Sequence, residues 1–157
     1  MKSTVYIETS VVSYLTACPS NEIRVAACQN ITADWWENRR SDFDLYISEF
    51  VVVEVSRGNS EASARRLAVI EGIAELQVAD DARNLAEALI KNGSLPPKAV
   101  IDAFHVAVAA VNGIHFLLTW NCKHIANAVM RPRIEAECRK HGFEPPTICT
   151  PRELLEG

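Results

Sequence analysis

Five short apolar runs, at residues 2–7, 44–48, 74–78, 116–119 and 147–149, alternate with stretches of helical spacing along the whole chain. Their β-branched and aromatic content favours strands. The Asn-Gly pairs at 92–93 and 112–113 each close a helical stretch, so no hairpin turn joins two neighbouring runs. Strands that are apolar along their length and separated by helices must be buried on both faces. That pattern predicts an α/β fold: a parallel sheet of about five strands with helices on both faces. No linker, repeat or low-complexity tract interrupts it, so residues 1–157 are read as one domain.

Composition narrows the function. The hydrophobic fraction is 48% and the charged fraction 23%, which suits a soluble globular chain. No apolar window reaches the roughly 20 residues needed to span a bilayer, and no secretory signal is readable at the N-terminus. The five cysteines, Cys18, Cys28, Cys122, Cys138 and Cys149, are odd in number, with no C-x-x-C pair. That spacing argues against a disulfide framework or zinc site and points to a reducing, cytoplasmic setting. A net charge of −4 excludes nucleic-acid binding by bulk electrostatics. Any such binding needs a metal or a local basic patch.

Read in order, the first run ends abruptly at Glu8, and Thr9 or Ser10 is placed to cap a helix starting immediately. A helix is expected from about Glu22 to Arg39. The segment FVVVEVSRG after Ser48 has strand-like residues but a helix-start position, and it is read as a helix carrying Glu54. Ser60 is expected to cap the next helix, to about Glu71, and a further one runs from Asp80 or Asp81 to Lys91. Pro96-Pro97 precedes a helix over Lys98–Val111 that carries Asp102 and His105 inside an apolar run. After Asn121 a helix is expected from His124 to Lys140, kinked near Pro132, with a last helical turn at 151–155.

Ligands of open parallel sheets bind beyond the carboxyl ends of the strands. Glu8, Glu54 and Asn121 sit at or just after such ends, and Asp102 lies near the start of a helix leading into the fourth strand. Oxygen donors of this kind suit Mg²⁺ or Mn²⁺. Three carboxylates within ~5 Å repel by about 3 kcal/mol per pair at an effective dielectric near 20. A cation lets them ionise together, activates water and stabilises charge on a phosphate.

The segments IETSVVSYL, SEFVVVEVSRG and DAFHVAVAAVNGIHFLLTWNCKHI resemble the successive motifs of PIN-domain proteins, particularly VapC-like toxins of type II toxin–antitoxin systems. The matching features are an acid ending strand one, Ser48 six residues before Glu54, Asp102 opening an alanine-rich helix, and Thr119-x-Asn121 after strand four. The resemblance implies a PIN-like fold and Mg²⁺- or Mn²⁺-dependent cleavage of RNA. It makes Glu8, Glu54, Asp102 and Asn121 the metal-binding and catalytic residues. It also implies a small antitoxin partner, and a homodimer is plausible for such a chain. Glu8 stands where the family usually has Asp, and Asn121 where many members have Asp. The rival reading is a catalytically silent PIN-fold module that binds nucleic acid or a protein. A third is a phosphatase-like enzyme using the same acids.

Other polar residues have plainer readings beside functional ones. Thr9 and Ser10 cap a helix or support a metal ligand. His105 binds phosphate, orients an acid or is structural. Lys123 and His124 lie on the surface or touch substrate. Glu49 is the rival of Glu54 at its helix start. The pairs Arg39-Arg40, Arg65-Arg66 and Arg131-Pro132-Arg133 are solvated faces or phosphate contacts. Trp120 packs against substrate or closes the core.

Overall fold

The computed structural model describes residues 1–157. The chain runs β1 (Ser3–Ile7), α1 (Thr9–Thr16), α2 (Ile23–Asn38), a 3-10 turn at Arg40–Asp42, β2 (Phe43–Ile47), α3 (Glu49–Val55) and α4 (Ser60–Ile70). It continues through β3 (Ala74–Glu75), α5 (Asp80–Lys91), α6 (Val100–Val111), β4 (Phe116–Leu118), α7 (Arg131–Lys140) and β5 (Thr147–Cys149). The strands form one sheet in the order β3-β2-β1-β4-β5, and every neighbouring pair is parallel. This is the expected α/β architecture.

β1 is the centre of the sheet. Val5 pairs with Leu45 on one side and Phe116 on the other, and Val5, Tyr6 and Ile7 are wholly buried. The chain leaves β1 toward β2 and β3, then returns to its other side for β4 and β5. The sheet therefore reverses direction of growth between β1 and β4, and the carboxyl ends of β1, β2 and β4 lie side by side. Glu8, Ser48 and Thr119 follow those three ends directly.

α6 is apolar nearly all round, as a helix sandwiched inside a domain must be. Ala103, Val106, Ala107 and Ala110 are buried, and α5 packs along it with Leu85 and Leu89. It ends where Gly113 takes φ +69°, which lets Ile114 N donate back to Ala109 O at 3.0 Å. A β-carbon is disfavoured in that left-handed conformation, so glycine makes the turn into β4. Phe50 of α3 stacks on Phe104 of α6 at 4.4 Å between ring centroids. That contact fixes the spacing between the helices that carry Glu54 and Asp102.

Several boundaries differ from the sequence expectation. Residues 121–130 are turns, and the helix expected from His124 begins only at Arg131. Side chains intercept the backbone there: Asn121 Oδ1 accepts from His124 N, and Asn127 Oδ1 accepts from Val129 N and Met130 N. Pro132 then falls in the first turn of α7, where its missing N–H costs nothing. β3 is shorter than 74–78, because beyond one last bond from Leu76 N to Ile47 O the chain leaves the sheet edge. Residues 151–155 form turns without a helix. The caps also move. Glu8, not Thr9 or Ser10, caps α1, and Asn59, not Ser60, caps α4 by accepting from Glu61 N and Ala62 N.

Candidate functional site

A cleft of about 530 Å³ opens at the carboxyl end of the sheet, and Glu8, Glu54, Asp102 and Asn121 all line it. Each arrives on a different segment: the β1–α1 junction, α3, α6 and the turn after β4. Thr9 and Ser10 line it too. Glu49 is exposed at the start of α3 and takes no part in the lining.

Glu8 is only 4% exposed and is held from three directions. Its Oε1 accepts from Ser10 Oγ and Thr119 Oγ1, both at 2.5 Å, and its Oε2 accepts from Ser10 N at 3.2 Å. The last bond is the α1 cap, so one carboxylate both starts a helix and faces the cleft. Thr119 is wholly buried, and its hydroxyl oxygen also accepts from Asn121 N. The Thr-x-Asn motif thus positions Glu8 through its threonine and turns the chain with its asparagine.

Glu54 ends a buried polar chain. Its Oε1 accepts from Thr9 Oγ1 and from His105 Nε2, each at 2.6 Å. His105 is completely buried, and its Nδ1 lies 2.7 Å from Tyr6 Oη, which lies 2.7 Å from Ser48 Oγ. Ser48 in turn accepts from Phe50 N as the cap of α3. Burial alone would raise the Glu54 carboxyl. The His105 imidazole, the Thr9 hydroxyl and Arg57 outweigh it and hold the group below the ordinary carboxylate range. Burial would lower His105, but its bond to Glu54 and the nearby charges of Glu8 and Asp102 outweigh that and raise it. Both shifts favour the charged forms, an imidazolium against a carboxylate.

Asp102 sits at the cleft with its Oδ2 bonded to His124 Nδ1 at 2.8 Å. The α6 face that carries Asp102 is not a solvent edge, because His105 and Ala109 farther along it are fully buried. The tightest set of possible metal-ligating atoms is Glu8, Glu54 and His105, all within 4.8 Å of one another; Asp102 is not a member. Both nitrogens of His105 are already committed, to Glu54 and Tyr6, and a ligating histidine must be neutral. His105 thus orients Glu54 instead of ligating. The oxygens without protein partners are Glu54 Oε2 and Asp102 Oδ1. With Glu8 they make a hard, anionic donor set of the kind that fits Mg²⁺ or Mn²⁺. Asn121 Oδ1 accepts from His124 N at 3.1 Å.

No lysine or arginine lines the cleft. The basic pairs are largely occupied elsewhere. Arg65 donates to Thr16 O at the end of α1, and Arg66 donates to Val55 O and Arg57 O at the end of α3. Arg131 and Arg133 donate to Ile148 O and Asn92 O, Arg39 to Gly157 O, and Arg40 lies over the Trp36 ring. The network residues that sequence reading missed are Tyr6 and the joint role of Ser48. Their one signal was a tyrosine between Val5 and Ile7 in the buried end of the first strand, whose hydroxyl had to find a buried partner.

No protein-family model matches the sequence, and no curated protein matches it. Among solved structures, the chain superposes on Mycobacterium tuberculosis VapC20, a toxin that cleaves the sarcin-ricin loop. The TM-score is 0.58 with 17% identity, over 79% of this chain and 95% of VapC20. The fold is PIN-like. At that identity the likeness speaks for the fold alone. Within the PIN-like frame, the cleft and its acids occupy the carboxyl end of the sheet, where such folds place ligands.

Proposed function

We propose that this PIN-like chain is a divalent-metal-dependent endoribonuclease and the toxin of a type II toxin–antitoxin pair. The observation that carries the reading is the convergence of Glu8, Glu54, Asp102 and Asn121 from four segments on one cleft without a basic side chain. An RNA phosphate cannot approach such a cleft unless a cation neutralises it. Glu8, Glu54 and Asp102 would hold Mg²⁺ or Mn²⁺, with Asn121 assisting through water. A bound cation supplies a more acidic water and charge stabilisation at the phosphate. The chain's own part is to fix the carboxylates: Thr119 and Ser10 hold Glu8, His105 and Thr9 hold Glu54, and His124 holds Asp102. Because Asp102 binds His124 through one oxygen, it keeps the other for a ligand.

VapC20, a sarcin-ricin-loop-cleaving toxin, supports RNA as the substrate class here. A small antitoxin that closes the acidic cleft belongs to the same proposal. A homodimer and a cytoplasmic setting complete the proposal, the latter in keeping with five free cysteines. One observation favours the silent-module reading. Glu8 and one oxygen of Glu54 already have protein hydrogen-bond partners, as purely structural acids would.

The deciding experiment incubates purified protein with a mixed RNA pool in Mn²⁺ or EDTA, beside Asp102→Asn and Glu54→Gln. Cleavage in Mn²⁺ only, lowered at least about a hundredfold in both variants, is expected if the metal and its carboxylates supply several kcal/mol. Mn²⁺ should also raise the melting temperature of the wild type but not of Asp102→Asn. Cleavage unaffected by EDTA and by both substitutions would sink the assignment. Absence of both cleavage and metal-linked stabilisation would establish the silent module.

A further inference from the structure

The cleft has a second half that the carboxylates do not use. Beyond Ser10 it is walled by Ser13, Tyr14 and Ala17 of α1, Val25 and Gln29 of α2, and Trp120. We propose that this half is a subsite for one unpaired nucleobase of the RNA strand, with Trp120 as its stacking face and Tyr14 as its side wall. The inference rests on the ribonuclease reading and names where the substrate is gripped.

Trp120 is fixed before anything binds. Its Nε1 donates to Thr32 Oγ1 at 2.7 Å, its backbone N donates to Ser10 Oγ at 2.8 Å, and the Tyr14 ring meets it edge-on at 6.1 Å. Thr32 is itself wholly buried and anchored to Cys28 O. A tryptophan needed only to close the core would be covered, yet this one stays partly exposed and lines the cleft. An aromatic face immobilised in advance loses little entropy when a flat ring settles on it.

Electrostatics favours the same occupant. With no lysine or arginine in the lining, the strand cannot be held by its phosphates except through the cation. Base stacking is indifferent to charge and supplies that missing grip. Ser10 links the two halves: its Oγ accepts from Trp120 N and donates to Glu8 Oε1. A base on Trp120 would lie in the same cleft as the acids that receive its strand's phosphate. A base stacked inside a duplex cannot enter, so the strand must be single or the base turned out. Gln29 is held by two bonds, its Oε1 accepting from Ser20 N and its Nε2 donating to Cys18 O. Ser13 and Tyr14 bring hydroxyl groups to the same wall, where they can meet the base edge.

The test titrates a short single-stranded oligoribonucleotide, and the same strand made abasic throughout, into protein with Ca²⁺ while following tryptophan emission. Wild type should be quenched by the base-bearing strand and bind it at least about fivefold more tightly than the abasic one, the lower end of what one stacked base supplies. Trp120→Phe should abolish the quenching, and Tyr14→Ala should weaken binding without abolishing it; the second variant serves if the first melts early. Equal affinity for the two strands, no binding of either, or variants indistinguishable from wild type would overturn the subsite. Cleavage of the same strand in Mn²⁺ separates the two readings. Quenching without cleavage keeps the subsite and discards the nuclease, whereas cleavage indifferent to both substitutions does the reverse.

Discussion

His105 donates from Nε2 to Glu54 Oε1 across 2.6 Å, and neither ring nitrogen is left for any other partner. A carboxylate can only accept, so the proton must sit on Nε2. The bond ties α6, at the heart of the fold, to α3 at the cleft.

That pair predicts a stability window in pH. Glu54 lies below its ordinary value, so its contribution is present above about 4.5 and lost as pH falls through the folded value. His105 lies above its ordinary value, so its contribution is present below about 6.5 and lost as pH rises through the folded value. The melting-temperature difference between wild type and Glu54→Gln, measured in EDTA, should be largest between about pH 4.5 and 6.5 and shrink on both sides. A difference that is flat from acid to alkaline pH would show that the pair is not charged.

Tyr6→Phe removes one hydroxyl from the middle of the Ser48–Tyr6–His105 chain. It leaves His105 Nδ1 buried without a partner, a loss of about 1–3 kcal/mol of folding stability. Urea unfolding at constant slope measures it. Tyr6 is buried behind His105 and never meets the cleft lining, so activity should fall only as far as Glu54 is loosened.

Arg66→Ala should cost about 1 kcal/mol of stability through two lost hydrogen bonds to α3-end carbonyls. It should leave RNA affinity and its salt dependence unchanged. A reduced salt slope would show that Arg66 touches phosphate.

The cysteines should divide by burial. Burial pushes the Cys138 and Cys149 thiols up to about 12, so they stay protonated and inert. Cys18 and Cys122 are exposed. Alkylation of the native protein followed by mass spectrometry should label Cys18 and Cys122 first, with Cys138 and Cys149 modified only after denaturation.

The sheet and its order of helices were legible because each apolar run has one length and one alternative. The FVVVEV segment was read correctly as a helix because Ser48 could cap it, despite its β-branched residues. Asp102 was conspicuous as an acid among Val100, Ile101, Ala103 and Phe104. Less legible was whatever depended on two elements meeting. Tyr6 and His105 are 99 positions apart, and nothing local in either segment names the other. The error at 121–130 has a different origin. Helical spacing continues there, but Asn121 and Asn127 spend their side chains on nearby backbone N–H groups, and those local bonds win over a helix that Pro132 could not extend backwards. Glu8 as a cap was overlooked because serine and threonine are the commoner choice.

Glu8 binds Ser10 N, and with it the first turn of α1, through the same carboxylate that faces the cleft. Substitutions at that position would therefore register twice. A saturation library scored only for how much protein accumulates in cells should rank position 8 among the intolerant sites, with no RNA in the assay. Asp102, which caps nothing, should be nearly silent in that screen. Comparing the abundance scores of those two acids would show how far selection for a foldable chain has protected the chemistry.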